Sequence, residues 1–259
     1  MKQLQYLFLL FTFSIFAQDS IQVQQQSKIK FKADSIIDVD NFGTIFYTLN
    51  NSLIKKQEEK LLKYSNVQLG SITSSSTFNP LKINVFYKTF NTVIILDNRL
   101  AEIFKVDFNQ VNPYKNVSHI STGSDNTLWI FNQDLMQLEL YDYKTNTIRA
   151  KTLPIENNVL DITSNYNSCW LLTENYIYKY NYFGSLVSKM PNTGYTSIKE
   201  SNENIFLKKD KNIFYLEENT KNIKPINIPN FLISQFFVTN QNLYIYTDKE
   251  LYQYKLKLK

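Results

Sequence analysis

The most constraining feature of this chain is a repeat of short alternating runs. Residues 117–155, 159–192 and 195–230 share one plan: an apolar-polar-apolar opening, a polar turn, a second apolar run, and a tight Asn/Asp/Glu/Lys turn. A third run ending in aromatics follows, and often a fourth. Runs of five to eight residues with a period of two, bounded by turn formers, are strand patterning. The second runs align as TLWIF (127–131), CWLLT (169–173), NIFLK (204–208) and NLYIY (242–246). TIFYT (44–48) and TVIIL (92–96) fit the same slot. Long apolar stripes of helical period are almost absent.

Four-stranded units that recur at this interval, six in number, predict an all-β fold: a six-bladed β-propeller of antiparallel blades. Each unit is apolar on both faces and needs neighbours on both sides. The predicted blades are 34–77, 78–116, 117–158, 159–194, 195–231 and 232–259, in one domain spanning 18–259. The last unit supplies only three strands. SKIKFKA (27–33), a strand without a blade of its own, is therefore expected to pair with 250–259 and close the ring. Residues 52–64, SLIKKQEEKLLKY, are rich in helix formers and read as a short helix or a hairpin. The hairpin is favoured, because SLI occupies the place of NIF (212–214) and ELY (250–252) in other units.

The units carrying Leu128-Trp129 with Asp142-Tyr143-Lys144-Thr145-Asn146, and Cys169-Trp170 with Tyr178-Lys179-Tyr180-Asn181, resemble two-component-regulator and quinoprotein-type propeller blades. Asn126 and Asn167 stand where such blades usually have a turn glycine. The resemblance covers two of the six units well, and it implies a fold rather than an activity.

The chain opens MKQLQYLFLLFTFSIFAQDS. Lys2, an apolar stretch from Tyr6 to Phe16, and small Ala17 make the three-part layout of a secretory signal peptide, cut after Ala17. The stretch is shorter than the roughly 18 apolar residues of a membrane span. No cysteine stands at the cut, so lipidation there is not expected. The Phe-Ala-Gln ending and the Asn/Lys-rich, Arg-poor composition resemble envelope proteins of the Bacteroidota. An extracytoplasmic chain is expected, in the periplasm or in an outer-membrane complex at the cell surface.

Composition narrows the chemistry. Net charge is +5, with only Arg99 and Arg149 as arginines and no basic cluster of the kind nucleic-acid readers use. One Cys (Cys169) and one His (His119) leave no four-ligand zinc set and no intrachain disulfide. No nucleophile elbow, zincin motif, phosphate loop or EF-hand loop is present. No catalytic residue, metal or cofactor is expected.

Two sets of residues remain. Asp38, Asn84, His119, Asp161, Ser197 and Gln235 fall in one column of the first strands and are all polar; they are expected to ring the central channel. A channel-mouth enzyme acting on carbohydrate would need paired carboxylates roughly 5 to 9.5 Å apart, with Asp38 and Asp161 as the candidates. Phe78, Asn79 and Pro80, with Asp97, Asn98 and Arg99, combine a stiff connection, an aromatic and a forked cation. They are expected to form a surface for another envelope protein. The leading functional expectation is a non-catalytic, protein-binding scaffold or accessory subunit. The rival is a carbohydrate-binding or carbohydrate-cleaving propeller.

Overall fold

A computed structural model describes residues 20–40, 42–217 and 220–258. The expected signal peptide, 1–17, lies outside the described residues. Among those residues no helix is long and apolar enough to cross a membrane.

The first strand among the described residues is ten residues long, β1 (Ile21–Lys30). Four sheets then follow in chain order, each formed by consecutive antiparallel strands. The first holds β2 (Ser35–Val39), β3 (Ile45–Leu49), β4 (Ser52–Gln57) and β5 (Lys60–Tyr64). The second holds β6 (Ser74–Ser76), β7 (Ile83–Tyr87), β8 (Thr92–Leu96) and β9 (Glu102–Asp107). The third holds β10 (Val117–Thr122), β11 (Thr127–Asn132), β12 (Gln137–Asp142) and β13 (Thr147–Lys151). The fourth holds β14 (Val159–Ser164), β15 (Ser168–Thr173), β16 (Tyr176–Asn181) and β17 (Leu186–Pro191). The remaining strands are β18 (Ser197–Ser201), β19 (Asn204–Lys209), β20 (Asn212–Leu216), β21 (Ile223–Asn227), β22 (Gln235–Thr239), β23 (Asn242–Tyr246) and β24 (Glu250–Leu256).

These last strands do not form two separate blades. They join β1 in one eight-stranded sheet of order β18-β19-β20-β21-β1-β24-β23-β22. β1 is antiparallel to β24 from Val23↔Leu256 to Lys30↔Glu250, and it also runs parallel to β21 through Ile21↔Ile226 and Gln22↔Asn227. Its edge strands β18 and β22 lie beside one another, so this sheet is curled nearly closed. The expected single ring of six four-stranded blades is therefore corrected to five sheets, four of four strands and one of eight. The physical reason is the length of β1. Its first residues run past the end of the β24 pairing and satisfy the backbone edge that β21 would otherwise expose.

Turn chemistry sets the hairpins. Asn50-Asn51, Asn202-Glu203 and Asn240-Gln241 each place two successive residues at positive φ, which suits the twist of a two-residue hairpin. Residues 52–64 form the β4–β5 hairpin, with the turn at Glu58-Glu59. The strands in the second place of their sheets are deeply buried, β7, β11 and β15 throughout, and β8 is buried throughout as well. Trp129, Trp170 and Cys169 are all in this buried layer.

Apolar clusters fill each gap between neighbouring units. Phe86, Ile95 and Val106 of the second sheet meet Ile120, Leu128 and Tyr141 of the third. Trp129 and Leu138 meet Ile162 and Leu171. At the seam, Ile21 packs with Phe206, Ile213, Ile226, Leu243 and Leu256. The first strands β2, β6, β10, β14, β18 and β22 each lie beside the next in a closed circuit around a central cavity.

The second unit is shifted by one strand from expectation. TVIIL is the third strand of its sheet, and the second is INVFY (83–87). The first strand is Ser74–Ser76, paired as Ser74↔Phe86 and Ser76↔Asn84. Three serines carry no apolar alternation, so sequence pattern has nothing to detect there. The second sheet consequently begins ahead of Phe78.

Candidate functional site

The central cavity encloses about 700 Å³. Its wall is made largely by the first strands, which lie beside one another around it. Of the six polar residues expected to ring it, Asp38, Asn84, His119 and Asp161 line it. Ser197 and Gln235 do not; their side chains tie neighbouring strands together. Asn84 reaches the cavity from β7, not from a first strand, because the three-residue β6 is too short to screen it.

Asp38 accepts hydrogen bonds from Thr77 Oγ1 at 2.7 Å and Thr239 Oγ1 at 3.1 Å. It therefore links the first sheet to both neighbours. Burial pushes its carboxyl above the ordinary carboxylate range, against those hydroxyl bonds. Asp161 is the counterpart on β14. It accepts from Ser197 Oγ at 2.7 Å and the Ile198 amide at 2.9 Å, and Lys199 Nζ stands 3.4 Å away. Gln235 accepts from the Ile36 amide at 2.7 Å and donates to Ser35. Asn84 donates to Thr122 at 2.8 Å.

This pattern has a direct chemical meaning. The carboxylates are spent on hydrogen bonds that register one first strand against the next. Neither is left as an open acid or base facing the other. His119 has the same character: its Nδ1 pairs with the adjacent Ser118 hydroxyl at 3.0 Å. Burial, then the nearby Lys88, lower its pKa, while Asp161 opposes them. Cys169 is fully buried, and desolvation pushes its thiol pKa up, which suppresses the thiolate. Among the described residues no group of three His, Cys, Asp or Glu is arranged to hold a metal ion.

Sequence reasoning missed Lys88, Lys199 and Glu200, which also line the cavity. Glu200 accepts from the Glu203 amide at 2.7 Å and from Asn165 at 3.2 Å, and burial raises its pKa. The signal for Lys199 was available: it sits two residues after Ser197 and so shares its face of β18.

The sequence predicts the second candidate set on the face that gathers the turns between second and third strands and the connections between units; the structure puts it at the other end of the sheet. Because the second sheet is shifted by one strand, 77–82 is the β6–β7 loop and 97–101 is the β8–β9 turn. In an antiparallel sheet both fall at one end. That end is opposite to Asn50-Asn51, Glu174-Asn175, Asp210-Lys211 and the connections between units. The two loops are separated by two strand spacings, about 10 Å. Phe78 and Pro80 stand at the cavity mouth, and Phe78 meets Tyr166 edge-on at 4.8 Å. Asn79 caps its own turn, accepting from the Leu81 amide. Asp97 likewise accepts from the Arg99 and Ala101 amides at 2.8 and 2.9 Å. The Ala101 bond, with Arg99, holds its pKa below the usual range. The Arg99 guanidinium is 3.6 Å from Asp97 and 84% exposed.

The same end carries further exposed apolar residues. Phe42 stands on the β2–β3 loop and Leu81 on the β6–β7 loop; Tyr182 and Phe183 are on the β16–β17 turn.

No protein-family model and no curated protein matches this sequence. Similar solved structures do exist. A catalytically inactive virginiamycin B lyase from Staphylococcus aureus, solved with quinupristin, is 12% identical with a TM-score of 0.62. The match covers 90% of this chain and 99% of that one. A streptogramin B lyase is 15% identical with a TM-score of 0.63, covering 92% and 93%. BamB from Moraxella catarrhalis is 11% identical with a TM-score of 0.53, covering 92% and 98%. At these identities the likeness is one of fold, and the fold is of the β-propeller type.

Proposed function

We propose that this chain is a non-catalytic, protein-binding propeller that serves as a scaffold or accessory subunit of a cell-envelope complex. The observation that carries the reading is the contrast between the cavity and its rim. The cavity carboxylates are occupied by strand-to-strand hydrogen bonds. The rim presents exposed Phe42, Phe78, Leu81 and Tyr166, with Arg99 free to turn outward. Aromatics and arginine beside polar turns are what protein interfaces use as anchors. An extracytoplasmic location, periplasmic or at the cell surface, is part of the proposal and rests on the pattern of residues 1–17. BamB, a propeller of similar extent, lends support at the level of fold.

The test is capture of partners from envelope fractions by crosslinking and mass spectrometry. The Phe78→Ala/Arg99→Ala variant should lose capture while unfolding within about 1 kcal/mol of the parent, as surface changes do. Unaltered capture by this variant overturns the assignment of that surface.

A second reading has its own support. The 700 Å³ cavity has a mouth lined by Phe42, Phe78 and Asp40, and two of the similar structures are lyases. A carbohydrate ligand at the mouth would stack on those aromatics. A glycan panel that gives saturable binding abolished by Phe42→Ala would favour this reading over the scaffold.

A further inference from the structure

The third sheet holds a buried polar triad that neither reading above employs. Lys115 stands just ahead of β10, Asn132 ends β11, and Glu139 lies in β12. Val117 pairs with Asn132, and Ile130 with Glu139. Alternation therefore puts Asn132 and Glu139 on one face, with Asn132 on the strand between the other two. Lys115 Nζ donates to Glu139 Oε2 at 2.6 Å, and Asn132 Nδ2 donates to Glu139 Oε1 at 3.2 Å. A single carboxylate grips an amine and a carboxamide at once.

The site is buried and held. Lys115, Asn132 and Glu139 are 3%, 2% and 0% exposed. Asn91 fixes the incoming strand from both sides, donating to the Lys115 carbonyl at 2.6 Å and accepting from the Val117 amide at 3.1 Å. The Asp134 amide donates to Asn132 Oδ1 at 3.2 Å and polarises its carbonyl. The Tyr141 ring lies 5.7 Å from Nζ. An ammonium has three N–H donors, and among the described residues Glu139 is its one oxygen acceptor. A buried charge so under-bonded is costly. Conversion to an amide removes that cost.

We propose that Lys115 and Asn132 become joined by an intramolecular amide bond, with Glu139 as the proton-transfer group. Glu139 accepts a proton from Nζ, and the freed amine attacks Cγ of Asn132. The Nζ–Cγ bond forms and the Cγ–Nδ2 bond breaks. Glu139 relays two protons in all from Nζ to the departing nitrogen. That nitrogen leaves as ammonium, and the carboxylate is restored. No oxidant or co-reactant is consumed. Both groups are held on the two oxygens of one buried carboxylate, and that orientation supplies the rate that the same groups lack in solution. The product staples the connection entering β10 to the end of β11.

The test is mass spectrometry of the purified full chain after denaturation. The expected mass is lower than that of the processed sequence by one ammonia. A tryptic map should show a branched peptide joining the segments of Lys115 and Asn132, with no cleavage at Lys115. Lys115→Arg should restore the full mass and the linear peptides. Glu139→Gln, verified as folded by circular dichroism, should also be unlinked. Full mass with ordinary cleavage at Lys115 overturns the proposal. So does an ammonia deficit confined to the N-terminal peptide, the signature of a cyclised glutamine, or a water deficit branched at Glu139. A link that persists in Glu139→Gln overturns the role given to Glu139.

Discussion

The third sheet and the eight-stranded sheet solve the same packing problem in opposite ways. β10 to β13 are consecutive, and each pairs with the next through a short turn. Its interior is locked by Lys115 and Glu139, both buried. The eight-stranded sheet instead needs β1, about 200 residues away from its partners β21 and β24. β1 inserts only Ile21 fully into the core, and most of its other residues are exposed. One region is closed by local chemistry, the other by a distant strand held mainly through its backbone. The lesson is that in a circular fold stability is not shared evenly. The closing strand carries a cost in chain entropy that the local sheets never meet.

Removal of the closing strand is the harshest way to test this contrast. Deleting residues 21–30 exposes the edges of β21 and β24 and removes Ile21 from its cluster. A loss on the order of 4 kcal/mol or more is expected, since it combines a core cavity with lost ladder bonds. Thermal unfolding unchanged from the parent would mean that β1 is an ornament and that the contrast is false.

The local sheet has its own vulnerable point. Lys115→Met leaves Glu139 buried without its nitrogen partner, whether ammonium or the N–H of the proposed amide. A loss of about 3–5 kcal/mol is expected in urea unfolding, because breaking one side of a buried pair strands the other. Lys115→Met/Glu139→Leu should recover the part of that loss that comes from the stranded carboxylate, and not the part that comes from the missing amide bond. A single variant that costs less than about 1 kcal/mol would show that the pair does not lock the sheet.

Acid titration sharpens the comparison at lower cost. In the local sheet, burial works to raise the Asp142 pKa, but Arg149, with the Thr145 and Lys144 amides, outweighs it and the value falls below 3.8. Its ionised form is favoured by folding, so its contribution is present above pH 3.8 and fades as pH falls through the depressed value. Asp38, which ties β2 to β22 beside the seam, has a raised pKa, so the sign reverses. Its ionisation costs stability as pH climbs from 3.8 through the raised value. Asp142→Asn should therefore lose most relative to the parent near neutrality. Asp38→Asn should gain relative to the parent over the same rise in pH. Parallel pH profiles for the two variants would contradict the opposite environments assigned to these carboxylates.

The smallest effect belongs to the rim. Arg99→Ala should change stability by less than about 0.5 kcal/mol, because its pair with Asp97 is open to solvent. A larger loss would make Arg99 part of the scaffold instead of a free anchor.

Much of the strand inventory was legible because it depends on local pattern. TLWIF, CWLLT, NIFLK and NLYIY are apolar enough to fill the second place of a sheet, and Asn-rich dipeptides mark the hairpins. SLIKKQEEKLLKY reads as a hairpin despite its helix formers, since tertiary pairing overrides propensity. Ser74–Ser76 was invisible because a three-residue polar strand has neither length nor alternation. Missing it displaced Asn84 and moved the Phe78 and Arg99 loops to the other end of the sheet.

The candidate site shows the same division. That Asp38, His119 and Asp161 face the cavity follows from their shared position in a first strand. That Ser197 and Gln235 instead bond Asp161 and Ser35 of the neighbouring first strands was decided by the tertiary structure. Apart from Ser74–Ser76 and the shift it causes, sequence alone determined the strands, their turns and the apolar layer between them, because each depends on residues within a few positions of one another. Only the tertiary structure decided that β1 pairs on both sides, that two groups of strands become one sheet, and that the cavity carboxylates are occupied. Each of those outcomes depends on which unpaired backbone edges and polar groups meet across long stretches of chain, where burial penalises any that go unsatisfied.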